Sequence, residues 1–557
     1  MIYTDQQARE IWGRINWKKI QRYVMKLQRR IYRASESGDF RLVRKLQKLL
    51  TRSNAAKLLA TRKVTQDNQG KKTPGVDGRL AKTEKARLII ANTMGFDGKS
   101  KPIKRVMIPK PGKKDKRPLG IPTILDRAKQ MLAKLALDPE WEAKFLPNNY
   151  GFRPGRSAHD AIMDIWLSTC KQPKYVFESD IEKCFDKISH EALLHHLNTY
   201  PTLRRQIKAW LKSGVMEGKQ LFPTEEGTPQ GGVISPLLAN IALHFAIDIP
   251  FHQYKTSMPK LVKCTGKKQR QTNNPERNIH MIRYADDFVI LNGTANLSFV
   301  EVIKESLSQW GLKLKESKTR FSNTKIVVDG QESGFNFLGF NINQVDTTQN
   351  KQGFTTLVRP SKDSFKKHYR YVCRMIRSFL YKGKWEELLK RLKPIVTGWC
   401  NYYDMGTSAN DFQKMEHLIW HKIVKTLKKK HCSWGIKKIV STYGLKGIDY
   451  GYGSHHIQRH VKVRDDKSPY DGDDIYWSQR QSKYSQLPTA VTKLLAKQKG
   501  KCAYCDGYFQ IGDKMEVDHI VAKRNGGKDN YRNYQLLHNY CHDRKSKDDL
   551  LLVSDEF

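Results

Sequence analysis

The chain has 557 residues, room for about three or four domains and a large buried core, which excludes a single small module. Its 101 Lys and Arg residues against 55 Asp and Glu give a formal net charge of +46, distributed from the first hundred residues to the last fifty, and this calls for a polyanion, nucleic acid rather than a membrane surface. There is no apolar run of roughly 18 residues, no leader pattern at the amino terminus and no disulfide-like array among the nine cysteines, so a soluble intracellular protein is expected.

Between residues 20 and 50, Ile20, Val24, Leu27 and Ile31, then Val43, Leu46 and Leu50, recur at helical spacing with Lys and Arg on the other faces. Two amphipathic helices are predicted, broken at Gly38, with Asp39 capping the second. The stretch NQGKKTPGVDG (68–78) reads as a loop. From 103, IKRVMIPKPGKKDKRPLGIP alternates short β-prone pieces with Pro/Gly turns and is strongly basic, which predicts a hairpin that touches phosphates.

In KYVFESDIEKCFDKISHEALLHHL (174–197) a β-prone run gives way to a helical one at Asp180, so that a carboxylate stands at a strand end. GTPQGGVISPLLANIALHFAI (227–247) is a Gly/Pro loop opening an apolar helix, and the polar, aperiodic residues 254–279 predict an insertion loop. FNFLGFNI (335–342) predicts a strand pair. Beyond about 355 the pattern is helical and basic; Phe412, Met415, Ile419, Ile423 and Leu427 line one helical face, and Trp399, Tyr402, Tyr403 and Trp420 either join that core or stack on RNA. Residues 459–487 lack apolar rhythm and read as a linker or poorly packed segment, followed by a compact Cys/His tail from 490.

The stretch MIRYADDFVIL (281–291) places Asp286 and Asp287 between apolar runs, where an unpaired carboxylate is costly. Neighbouring residues of a strand face opposite ways, so both carboxylates reach one ligand only if the chain turns there. Clustered carboxylates repel, and Mg²⁺ reverses that repulsion. Two such ions need a third carboxylate from another strand, for which Asp180 is placed, and the set suits in-line phosphoryl transfer during nucleotide polymerisation. In the tail, Cys502-x2-Cys505 and His538-x2-Cys541 are two soft-ligand pairs about 30 residues apart, a spacing suited to a structural Zn²⁺.

These motifs, in this order, resemble a group II intron-encoded reverse transcriptase with a maturase domain, over nearly the whole chain. KLQRRIYRASESGDFRLVRKLQKLL resembles the family's amino-terminal extension; GVDG, RPLGIPTILDR and YGFRPGRSAHDAI its fingers and upper palm; ESDIEKCFDKISH, GTPQGGVISPLLANI, RYADDFVI, LKESKTR and FNFLGF the successive polymerase motifs. The resemblance implies a multidomain α+β fold with a right-hand polymerase of fingers and palm, a helical thumb or maturase domain containing TGWCNYY, and a small zinc-containing ββα-metal HNH domain. The expected divisions are 1–75, 76–350, 351–432, 433–489 and 490–557.

Carried over by position, the resemblance makes Asp180, Asp286 and Asp287 the catalytic Mg²⁺ ligands, with Ile181 beside them at a metal-binding position. It makes Phe185 the aromatic that disfavours a 2′-OH, Arg117 and Lys110 the cations that hold the triphosphate, Gln230 part of the nucleotide loop, and Lys318 a group near the departing pyrophosphate. In the tail, DHI, a Gly-Gly loop, N-x-Q-L-L and CH resemble the HNH nuclease pattern. This implies His519 as general base, Asp518 and His542 as ligands of a Mg²⁺ or Mn²⁺ ion, and Asn533 as the residue that orients the base or completes the site. Many members carry cysteine where this chain has His538.

The function so implied is threefold: RNA-directed DNA polymerisation by target-primed reverse transcription, assistance to intron splicing, and nicking of one strand of a double-stranded DNA target. Intron RNA in a ribonucleoprotein, target DNA and dNTPs are the expected partners, in the cytoplasm or nucleoid of a bacterium, with the oligomeric state left open. A splicing-only maturase and a free-standing reverse transcriptase are the competing readings.

Overall fold

The computed structural model describes residues 3–554 apart from 110–115, 219, 225, 229–230, 260, 266–267, 273–274, 383–384, 447–449 and 453–456. Lys110 and Gln230, two of the expected nucleotide contacts, lie outside the described residues.

Two helices form at the amino terminus as the spacing predicts, Trp17–Glu36 and Phe40–Arg52. Gly38 takes a φ of +75° between them, and the Asp39 carboxylate caps the second by accepting from the Leu42 N–H at 2.9 Å. Their apolar stripes are buried against Leu132 and Ala136 of the helix Ile124–Glu142. The basic stretch is an antiparallel hairpin, Ile103–Pro109 with Lys116–Ile121, extended to a four-stranded sheet by Val215–Glu217 and Gln220–Phe222.

The central sheet is antiparallel throughout, in the order Arg320–Asn323, Tyr175–Asp180, Asp287–Asn292, Ile279–Tyr284. Phe177, Met281, Phe288 and Ile290 enter a core on one face; Val176, Ile282, Val289 and Leu291 enter a second core on the other. Covering both faces explains why the strands around the aspartates are continuously apolar rather than alternating.

Three expectations need correction. The residues read as an aperiodic insertion, 254–279, contain an antiparallel strand pair, Leu261–Thr265 with Lys268–Thr272, whose polar sequence carries no period-two signal. Helix does not follow directly after 355. The strand Phe354–Pro360 first pairs along the whole of Phe340–Asp346, and the helices begin at Lys362.

The third correction concerns 459–487. His460, Val463, Tyr470, Trp477 and Arg480 are all buried, and Asp474–Tyr484 is a helix. The segment lacks apolar rhythm because it packs through polar groups around one carboxylate, Asp160, on the first turn of the helix Ala158–Thr169. Asp160 Oδ1 accepts from the Val463 N–H at 2.8 Å and from the Arg480 guanidinium, and lies 3.1 Å from His460 Nε2. Oδ2 accepts from the Ser157 N–H at 2.9 Å while the Asp160 N–H donates to Ser157 Oγ at 3.3 Å, a capping box.

Further along, the helix Ala409–Lys430 buries Phe412, Met415, Ile419, Ile423 and Leu427, the stripe read from the sequence. Trp399 stacks on His368 at 4.5 Å, Tyr402 donates to the Leu338 carbonyl at 2.9 Å, and both rings pack on the same core. Among the described residues no helix is long and apolar enough to cross a membrane.

Burial pushes the Asp160 carboxyl up, but the hydrogen bond with His460 and the charge of Arg480 outweigh it and hold it at about 2. The folded value lies below the ordinary 3.8, so the stabilisation is complete above pH ~4 and is lost as pH falls through about 2. Asp160→Asn is expected to cost about 3 kcal/mol near pH 7, because it leaves Arg480 buried without its counter-charge. The difference between the urea midpoints of the two proteins should stay constant from pH 7 to about 4 and shrink as the pH is lowered from there through about 2.

Candidate active sites

The strands Ile279–Tyr284 and Asp287–Asn292 are joined by a two-residue turn, Ala285 and Asp286. Ala285 has a φ of +59° while Asp286 does not adopt positive φ, which is the pattern of a type II′ hairpin turn. The turn settles the question posed by adjacent aspartates. Asp286 sits in the turn, Asp287 opens the next strand, and Asp287 is paired across the sheet with Asp180.

Burial raises the Asp287 carboxyl to about 6, with the charges of Asp286 and Asp180 adding to it. Asp286 is raised mainly by burial too, while Lys318 and Arg117 pull it back. The Lys318 ammonium contacts Asp180 Oδ2 directly. Arg117 is exposed on the basic hairpin, close enough to act on Asp286.

Phe185 is partly buried, its ring edge-on to Phe152 at 6.3 Å. The Ile181 side chain is buried and has no ligand atom, so only its carbonyl could serve a metal. Gly231 brings its loop against the hairpin, since a Cβ there would lie 2.3 Å from the Gly120 carbonyl oxygen.

Sequence reasoning missed the group that shapes the turn, Arg283. Its side chain is 0% exposed and is held as a fork by Asp248, Nε to Oδ1 at 2.8 Å and Nη2 to Oδ2 at 2.6 Å. Nη1 donates to Asn240 Oδ1 at 3.2 Å and to the Ala285 carbonyl at 2.9 Å. Asn240 in turn donates to the Gly151 carbonyl at 2.7 Å, and the Gly151 backbone lies against the turn. An arginine inside an apolar strand next to the motif was the available signal.

The carboxyl-terminal region holds two more clusters on a strand pair, Met515–His519 with Tyr534–His538, followed by the helix Asn539–Ser554. The ligand atoms of Cys502, Cys505, His538 and Cys541 lie within 4.8 Å of one another, so the structure gathers the four residues read as a zinc set. His538 turns Nδ1 toward Cys505 Sγ at 3.6 Å and Nε2 toward Asp513 Oδ2 at 3.5 Å. That carboxylate is the outer partner a metal-ligating imidazole uses to fix its tautomer.

In the second cluster His542 Nε2 lies 3.5 Å from Asp518 Oδ1 and its Nδ1 lies 3.0 Å from Glu516 Oε2. Asp518 Oδ2 accepts from Gln535 at 3.0 Å and from Lys545 at 3.2 Å. His519 Nε2 faces Asp529 Oδ1 at 3.0 Å. Asp529, which sequence reasoning did not single out, is held well below the usual carboxylate range by Lys523, Tyr534 and His519. The Asn533 amide bonds only to backbone, accepting from the Val521 N–H at 2.9 Å and donating to the Val521 and Lys528 carbonyls at 3.0 Å each. It pins the loop that follows His519.

Carboxylates gathered at adjoining strand ends beside a basic hairpin, with a separate Asp/His cluster on a strand–strand–helix unit, define a metal-dependent nucleic-acid enzyme with two centres. Family models match in the same order: "N-terminal domain of reverse transcriptase" over 12–94, "Reverse transcriptase (RNA-dependent DNA polymerase)" over 108–342, "Group II intron, maturase-specific domain" over 365–444 and "HNH endonuclease" over 502–548.

Among curated relatives, the group II intron-encoded protein LtrA of Lactococcus lactis subsp. cremoris is 26% identical over 537 residues, covering 82% of this chain and 87% of the relative. Protein YkfC of Escherichia coli (strain K12) is 31% identical over 350 residues, covering 57% of this chain and 87% of the relative. The chain belongs to the group II intron-encoded proteins and combines reverse transcriptase, maturase and HNH endonuclease domains.

A Cβ at residue 151 would lie 2.2 Å from the Ala285 amide nitrogen, with backbone that cannot move aside. Gly151→Ala is therefore expected to displace the Asp286 turn and lower primer extension by about 100-fold. Steady-state extension on a primed RNA template, with thermal unfolding as control for the fold, checks it.

Proposed function

We propose that the chain copies RNA into DNA at Asp180, Asp286 and Asp287, cuts one DNA strand at the HNH centre, and uses the new 3′ end as primer. The observation that carries this is the pairing of Asp180 with Asp287 while Asp286 occupies the turn between strands, so that three carboxylates from two chain segments converge. These residues would hold Mg²⁺, with the Ile181 carbonyl beside them. Bound Mg²⁺ supplies Lewis-acid stabilisation of the attacking and leaving oxygens.

The chain's own groups do the remainder. Lys318 and Arg117 neutralise the triphosphate end, and Phe185, braced by Phe152, narrows the space beside the sugar. Lys110 and Gln230 complete the nucleotide site in this reading. The central sheet is the palm, the basic hairpin belongs to the fingers, and the helices from Lys362 form the thumb and maturase surface that grips intron RNA. The divisions 1–75, 76–350, 351–432, 433–489 and 490–557 describe these parts, except that the strand Phe354–Pro360, paired with Phe340–Asp346, goes with the polymerase part and moves that boundary to about 361.

At the nuclease centre His519 takes the proton of the attacking water, with Asp529 orienting the imidazole. Asp518 and His542 would hold the divalent ion, and Asn533 secures the loop. The four-residue Cys/His set would hold zinc as a structural ion, its thiolate-rich donor set matching that metal. Intron RNA, double-stranded target DNA and dNTPs are the partners of this reading.

Asp287→Ala is expected to abolish primer extension on an RNA template while leaving affinity for structured RNA within about twofold, since it removes a metal ligand and no cation. Extension no better than background by both proteins would make the chain a splicing factor without polymerase function, and equal extension above background would move the polymerase chemistry away from Asp287. Metal analysis of purified protein is expected to find one zinc per chain. Cys505→Ser should lower that content and loosen the carboxyl-terminal domain, read as faster proteolysis of residues 490–557.

A further inference from the structure

The HNH region is not tethered by its linker alone. Arg62 ends the helix Asn54–Arg62, and its side chain is only 5% exposed. Its guanidinium lies between the Trp17 ring, 4.8 Å away, and the Tyr540 ring, 5.8 Å away. It donates to Asn539 Oδ1 and, at 3.3 Å, to Asp543 Oδ2, both on the first turns of the helix that also carries Cys541 and His542. On its own side of the contact Arg62 has one carboxylate, Asp67, at 3.7 Å.

Two further contacts reach the loops around the Cys/His cluster. Lys18 Nζ donates to the Cys505 carbonyl at 2.5 Å, and Gln21 donates to Asp513 at 3.3 Å, the residue that also faces His538. Asp474 joins a third pair, accepting from Arg29 at 2.5 Å and from Gln510 at 3.1 Å.

We infer that the amino-terminal helices carry a dedicated docking surface for the HNH domain of the same chain, centred on Arg62, which holds the nuclease and polymerase centres in one frame. A buried arginine is retained only where charge and hydrogen bonds satisfy its fork. Most of those partners belong to the nuclease helix. Arginine flanked by tryptophan and tyrosine, desolvated at the middle of a contact with polar bonds at its edge, is also the composition of an interface hot spot. The surface needs the nuclease helix as its complement.

The test uses the full chain with a site-specific protease sequence inserted between Ser485 and Leu487, in the loop after the helix Asp474–Tyr484. After cleavage, the carboxyl-terminal fragment is expected to co-elute with the remainder on gel filtration. Arg62→Ala and Lys18→Ala should each weaken this association at least about tenfold. Separation of the fragments in the otherwise unaltered chain would overturn the inference, as would retention undiminished in both variants. Lys18 lies on the helix surface, so its variant keeps the test decisive if Arg62→Ala misfolds.

Discussion

The turn that carries Asp286 depends on a buried ion pair, Arg283 with Asp248. Arg283 and Asp248 are both removed from solvent, and the pair is bidentate with Nη1 donating to Asn240 and to the Ala285 carbonyl. Burial pushes the Asp248 carboxyl up, and Arg283 more than reverses that push. Such a pair adds little net stability over an apolar alternative, but it fixes geometry because every hydrogen bond has one direction. Here the geometry fixed is that of a turn carrying an aspartate that must meet two others.

From that turn the organisation spreads outward. Gly151 packs over it, Asn240 ties Gly151 to the same arginine, and Tyr150 donates its N–H to the Arg283 carbonyl at 2.9 Å. A few residues further on, Asp160 gathers the segment after the maturase helices onto the same scaffold. Two buried carboxylates, each with its arginine, thus join chain segments far apart in sequence. The apolar cores on either face of the central sheet supply the stability these polar ties do not.

Much of this was legible in the sequence. The amphipathic stripes, the basic hairpin, the strand end at Asp180 and the Cys/His spacing depend on local periodicity or on chemistry that few residue types perform. The features that escaped were long-range and polar. Residues 459–487 read as loose because their order comes from Asp160, some 300 positions away, and no hydropathy pattern encodes a hydrogen bond to a distant carboxylate. Arg283 escaped for the same reason, its partner Asp248 lying 35 positions away on a separate helix. The strand pair within 261–272 was hidden because its sequence carries no period-two alternation of apolar and polar residues.

The helix that supplies Asp248 departs from regular geometry at the point of contact. Ser235–Leu243 continues through a π turn, His244–Asp248, before regular helix resumes at Ile249. A π turn accommodates one residue more than an α-helical turn and rotates the succeeding side chains by about 100°. Asp248 therefore owes its direction to an inserted residue. Loss or gain of a single codon between 235 and 248 would rotate the carboxylate off Arg283 while leaving composition and helix propensity almost unchanged. Length variation among relatives should avoid this helix.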